Sequence, residues 1–144
     1  MEKILIEFIN TLDLSLRNLQ EKVGNSSGFS RLTVNQLRYV DAIHALGRPT
    51  ITEVAEKLTI TTASVTAGIH KLVNLGFVVK TQSSEDRRVF RVHLAETGED
   101  LVRAKYRALK EYGQFISDAL TEEEARQFEA TLTKLVLLFQ KGKI

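Results

Sequence analysis

Two clusters of side chains in this 144-residue chain have chemistry suited to a polyanion. The first is rich in hydroxyls: Thr61, Thr62, Ser64 and Thr66 precede Ala67, His70 and Lys71. Hydroxyls bond phosphate oxygens or base edges, and a lysine neutralises a phosphate. The second cluster is the charge run Glu85-Asp86-Arg87-Arg88 within SSEDRRVFRVHLAETGEDL, residues 83–101. An arginine at a loop tip suits a narrow, electronegative minor groove. Asp86 can brace such a tip by accepting bonds from the loop backbone or from Arg88. Each cluster also has a plainer explanation: the threonines as helix caps and solvated surface, the charge run as a solvated turn.

Other chemistries find little support. His44, His70 and His93 are scattered, no two stand at i and i+4, and there is no cysteine, so neither a metal site nor a cofactor is expected. No nucleophile–base pattern or glycine-rich phosphate loop is present, and the carboxylates gather at helix starts and on exposed faces, which argues against an enzyme. With 43% hydrophobic and 26% charged residues and a net charge of +2, the chain reads as one ordinary globular domain, 1–144. The longest pure apolar run, Leu135 to Phe139, is too short for a membrane span, and Glu2, Lys3 and Glu7 interrupt any signal-like start. A soluble cytoplasmic protein without membrane contact is expected.

The elements that must position the two clusters follow from periodicity. Residues 1–23 carry Ile4, Phe8, Leu12, Leu16, Leu19 and Val23 at helical spacing, widened by Leu5 and Ile9, and the loop Gly24–Gly28 should end this helix. Thr33 with Gln36 predicts a capping box for a second helix that buries Leu37, Val40, Ile43 and Leu46 and ends at Gly47. A third helix starts after Thr50 or Thr52 and buries Val54, Ala55 and Leu58. A fourth starts after Thr61 or Thr62, buries Val65, Ile69 and Leu72, and stops at Gly76. About three residues separate the third and fourth helices, which implies the sharp crossing of a helix-turn-helix.

FVVKTQ (77–82) and VFRVHL (89–94) read as strands, with Phe90, Val92 and Leu94 on one face and Val89, Arg91 and His93 on the other. Thr97 should start a long helix through Leu101, Ala104, Ala108, Tyr112, Phe115 and Ile116. Thr121 with Glu124 caps a final helix that carries Phe128, Leu132, Leu135, Val136, Leu138 and Phe139. A helix-turn-helix followed directly by a hairpin is a winged helix. The predicted fold class is mainly α (α+β): a winged lobe over 32–96 with a two-stranded wing, and helices over 1–24 and 97–144 outside it. The outward residues Thr61, Thr62, Ser64, Thr66, Ala67, His70 and Lys71, with Asp86, Arg87 and Arg88 at the hairpin tip, are the candidate contacts to double-stranded DNA.

ITEVAEKLTITTASVTAGIHKLVNLGFVVK and the hairpin segment resemble the MarR family of winged-helix transcriptional regulators over nearly the whole chain. The wing signature is matched by Asp86, Arg88, Leu94, Thr97 and Gly98. The resemblance implies a homodimer with interlocked outer helices, a repressor's palindromic operator and release by a small-molecule effector. The wide apolar faces of the first and last helices point to the same dimer, with burial inside one monomer as the alternative. A two-fold dimer spaces its recognition helices by about 34 Å.

The family's effector pockets would bring in Arg17, Tyr39, His44 and Tyr112, each also explicable as core edge or surface; His44 is expected to line the interior. The chain departs from the family pattern at Ala67, where an arginine is common, at Ala63 and Gly68, which are similarly bare, and at Thr59, Val73 and Leu75. Affinity should then lean on Lys71, the wing and deformable DNA, with an A·T-rich operator. The competing function is a winged-helix protein-interaction module that has lost DNA binding.

Overall fold

The computed structural model describes residues 1–27 and 32–142, and for residues 20 and 22–27 the backbone alone. Threonines set most helix starts. Thr33, Thr50 and Thr121 each form a reciprocal capping box, with Gln36, Glu53 and Glu124 respectively, opening α2 (Val34–Leu46), α3 (Ile51–Leu58) and α6 (Glu122–Gln140). Thr61 caps α4 (Thr62–Asn74) through the backbone N–H of Ser64. In both ambiguous pairs the earlier threonine is the cap. Gly47 and Gly76, at φ 83° and 82°, turn the chain out of α2 and α4.

The N-terminal helix α1 (Glu2–Ser27) runs through Gly24–Ser27, where a loop was expected; Gly28 lies outside the described residues. One glycine costs a helix about 1 kcal/mol, and no proline follows to break the hydrogen-bond ladder. Along α1, Leu12, Leu16 and Leu19 are half-buried, whereas Ile4 and Phe8 are exposed.

The core gathers Val40 and Ile43 of α2, Val54 of α3, and Val65, Ile69 and Leu72 of α4. Leu46, expected inside, is exposed because the helix ends there at the Gly47 turn. The strands β1 (Val78–Gln82) and β2 (Phe90–Leu94) pair antiparallel, with Val78 opposite Leu94 and Gln82 opposite Phe90, each one residue shorter than expected. Residues 49–50 extend the pairing: Val92 N–H donates to the Pro49 carbonyl at 2.9 Å, and Thr50 bridges Arg91. Phe90, Val92 and Leu94 share a face as expected. Only Val92 and Leu94 are buried, because burial fades toward the hairpin tip.

The next helix, α5 (Glu96–Asp118), begins one residue before Thr97. Thr97 therefore does not cap it. Its hydroxyl donates to the Gly76 carbonyl, and Ala95 N–H donates to the Phe77 carbonyl at 3.0 Å. A Cβ on Gly98 would collide with that same Phe77 carbonyl. The Thr97-Gly98 pair thus pins the start of α5 to the turn leaving α4, and only glycine fits so close an approach.

Packing divides the chain into two compact units, Met1–Tyr106 and Arg107–Ile144, with the boundary inside α5. In the second unit, α5 and α6 flank an apolar groove of about 610 Å³ that includes Ile116, Leu120, Phe128, Leu132 and Val136. No residue of α6 is buried. No helix among the described residues is long and apolar enough to cross a membrane.

Candidate nucleic-acid interface

The first unit holds both sequence-predicted clusters. Val65, Ile69 and Leu72 bind α4 to the lobe, and that periodicity leaves Thr62, Ala63, Thr66, Ala67, His70 and Lys71 exposed. The hydroxyls are already partly committed. Thr61 Oγ1 accepts the Ser64 N–H at 3.2 Å and donates to Ser64 Oγ at 2.9 Å. Thr66 Oγ1 donates to the Thr62 carbonyl at 2.8 Å. Thr61 and Thr66 therefore have local structural duties and present mainly acceptor lone pairs outward. Thr62, His70 and Lys71 carry the exposed polar groups with no such bond among the described residues.

Two of the departures from the family pattern have a defined structural setting. Gly68 lies under the ring of Tyr39, which a Cβ would overlap, and the Tyr39 hydroxyl donates to the Ser64 carbonyl at 3.4 Å. The glycine is thus a packing point between α2 and α4. Thr59 closes α3 in the left-handed region at φ 55°, ψ 47°, strained backbone for a β-branched residue.

At the hairpin tip, Asp86 accepts bonds from both expected sources. Its Oδ1 takes the Arg88 backbone N–H at 3.0 Å and Arg88 Nε at 3.2 Å; Oδ2 takes Nη2 at 3.4 Å. The backbone bond first, and the guanidinium second, hold its carboxyl below the usual carboxylate range. The Arg88 side chain remains 91% exposed, so its guanidinium is oriented without being shielded. Arg87 is exposed, and its carbonyl accepts from Gln82 Nε2 at 2.6 Å.

Sequence reasoning passed over the supporting Ser83, whose Oγ accepts the N–H groups of Glu85 at 3.3 Å and Asp86 at 3.5 Å. A serine opening a polar loop was the available signal. It also passed over Lys80, whose ammonium sits 4.5 Å above the centre of the exposed Phe90 ring.

The effector candidates do not converge. Arg17 pairs with Asp13 along α1 at 3.0 Å, and Tyr39 belongs to the core. His44 is exposed rather than interior: its Nδ1 lies 3.7 Å from Glu99 Oε2 and its ring 6.1 Å from that of Tyr106. The stripe of α2 that points inward is Tyr39, Val40, Ala42 and Ile43, which leaves residue 44 outside it. Tyr112 lies in the second unit beside Phe115. Among the described residues no hydrogen bond, ion pair or ring contact joins any two of the four. His44, His70 and His93 stand on α2, α4 and β2, and no metal-binding cluster of three or more side chains occurs among the described residues.

Residues 32–90 match the model of the MarR family. The uncharacterised HTH-type transcriptional regulator YsmB of Bacillus subtilis is 26% identical over 134 residues, 90% of this chain and 92% of that one. FabT of Streptococcus pneumoniae, solved in complex with DNA, superposes with a TM-score of 0.82 at 24% identity, covering 99% of this chain and all of FabT. A MarR-like transcriptional regulator of Thermotoga maritima superposes at 0.76, with 21% identity over 94% of this chain and 96% of its own. The family match covers the lobe that carries α4 and the hairpin, and the agreement in fold with solved winged-helix regulators extends over nearly the whole chain.

Proposed function

We propose that this protein is a homodimeric DNA-binding transcriptional regulator that represses from a palindromic operator and is released by a small-molecule effector. The observation that carries DNA binding is the pairing, within one compact unit, of an exposed polar α4 face with a hairpin tip bearing a braced arginine. In this reading α4 enters the major groove, where Thr62, Ser64, His70 and Lys71 meet phosphates and base edges, with Thr61, Thr66 and Ala67 at its margin. Arg88 and Arg87 reach the adjacent minor groove, and Asp86 fixes the aim of Arg88. FabT, of similar fold, was solved with DNA, which supports the reading for this chain.

Dimerisation rests on the apolar side chains left uncovered. Ile4 and Phe8 of α1, and Leu135, Val136 and Phe139 of α6, are 43–64% exposed. A single chain gains nothing by holding so many in water, and a second copy can cover them. Release requires that the effector bind one arrangement of the two lobes better than the other.

Sequence selection from random duplexes, followed by fluorescence anisotropy at several salt concentrations, tests the proposal. An enriched inverted repeat, bound with an affinity that falls steeply with salt, is the expected result. The second reading, a protein-interaction module, is favoured by the small exposed Ala63 and Ala67, where α4 offers no arginine to guanine. Absence of binding at low salt would establish that reading in place of the first.

A further inference from the structure

The sequence-predicted interface draws only on α4 and the hairpin, yet a cleft places α2 beside it. This cleft, about 240 Å³, is lined by Asn35, Arg38, Tyr39, Leu58, Ile60 and Ser64. Asn35 and Arg38 are three residues apart, hence neighbours on one side of α2, and both are exposed. Ser64 comes from α4, across the cleft. Tyr39, Leu58 and Ile60 supply apolar walls.

Arg38 is one of three described arginines of the first unit, with Arg48 and Arg87, that have no carboxylate within ion-pairing distance, and it is the one of them that lines this cleft. Arg17, Arg88, Arg91 and Arg103 each have a carboxylate within ion-pairing distance, at Asp13, Asp86, Glu53 and Asp100. Among the described residues none lies that close to Arg38, although it stands at the cleft mouth beside an amide and a hydroxyl-bearing residue. Guanidinium, amide and hydroxyl together are a donor set for the oxygens of a phosphate group. The volume falls below the roughly 300–1,000 Å³ typical of sites for drug-sized ligands. One phosphate needs far less room.

We infer that Asn35 and Arg38 form a DNA-backbone clamp on α2, which holds one phosphodiester per half-site at the edge of the α4 interface. This rests on the DNA-binding reading and extends it. The clamp grips the strand at the rim of the major groove while α4 enters it, so it sets position and tilt and carries no base information. It also supplies affinity that α4, with alanine at positions 63 and 67, does not.

The test uses the full-length protein on the duplex enriched by selection, with anisotropy read over a range of salt. Arg38→Ala removes one phosphate contact per protomer. The slope of log K against log salt should become shallower by about 0.9 per lost contact, equivalent to about eightfold weaker binding per contact at about 0.1 M salt. Arg38→Lys should restore most of the slope, since it keeps the charge. Asn35→Ala should weaken binding without altering the slope. As a control, Arg126→Ala removes an exposed α6 arginine already paired with Glu123 and should change neither affinity nor slope.

A scan of single neutral methylphosphonates along the duplex should find one position per half-site where wild type loses affinity and Arg38→Ala loses no more. If wild type binds and Arg38→Ala keeps its slope and affinity, the clamp is wrong and the interface stays with α4 and the hairpin. Failure of wild type to bind any duplex would instead overturn the DNA-binding reading itself.

Discussion

Arg88 and Asp86 show how much one short loop can settle. Arg88→Ala removes the guanidinium but leaves the hairpin ladder and lobe untouched, because the side chain is almost fully exposed. Binding to the selected duplex should weaken several-fold while the melting temperature stays within error; unchanged affinity would remove the hairpin from the account. Asp86→Asn separates charge from geometry. Deleting a negative charge near DNA should tighten binding if charge counting governs, but should weaken it if the carboxylate's job is to aim Arg88.

The pH behaviour has a defined sign. Because the folded carboxyl titrates below its unfolded value of about 3.9, the brace is intact above that value and is lost only as pH falls through the lowered one. DNA affinity measured from about pH 6 to 8 should therefore show no step assignable to Asp86. Thr59 is a separate residue-scale case. Left-handed backbone costs a β-branched residue about 1–2 kcal/mol, and glycine returns part of that gain through greater unfolded-state entropy. Thr59→Gly should stabilise the fold by roughly 0.5–1 kcal/mol in urea denaturation at fixed protein concentration. A lower midpoint would mean that the threonine side chain makes contacts outweighing the strain.

At the scale of elements, the approach of α2 to α4 depends on a missing side chain. Gly68 admits the Tyr39 ring, whose hydroxyl reaches the α4 backbone at Ser64. Gly68→Ala should force the helices apart or drive Tyr39 off its rotamer, at a cost of about 1–3 kcal/mol. Tyr39→Leu in the Gly68→Ala background should recover part of that loss by vacating the space. A thermal melt reads both, and full stability in Gly68→Ala alone would show that Tyr39 turns aside without cost. The start of α5 is held in a comparable way, by Thr97 on the Gly76 carbonyl and by Gly98 against Phe77. Threonine and glycine in the wing signature thus act on the exit of α4, and Thr97 does not serve as the helix cap.

At the scale of the whole molecule, the uncovered apolar side chains of α1 and α6 carry the dimer proposal. Leu135→Glu places a charge on the face proposed to meet a second copy. Sedimentation velocity should show wild type as a dimer and this variant as a monomer at the same concentration. Binding to an inverted repeat should fall with it, because two half-sites then lose their physical linkage. A wild-type monomer would sink the dimer proposal, and the α5–α6 groove would then need another occupant.

Much of the architecture was legible in residue order. Capping boxes are local, so Thr33 and Thr121 announced α2 and α6 through side chains three residues away. The choice between Thr50 and Thr52 at the start of α3 stayed open until the structure showed Thr50 paired with Glu53. The buried stripe Val65, Ile69 and Leu72, and the alternation in β2, follow from the helical and strand periods, which likewise need only neighbours in sequence. The rest depended on contacts between residues far apart in the chain. Gly68 looked bare until Tyr39, 29 positions earlier, filled its space, and His44 looked interior until the α2 packing stripe turned it toward Glu99. Asn35 and Arg38 joined the candidate interface only once α2 lay across a cleft from Ser64. Local hydrogen bonds and periodicity decide which elements form, whereas the fit of one helix's side chains into another's gaps decides which residues share a site.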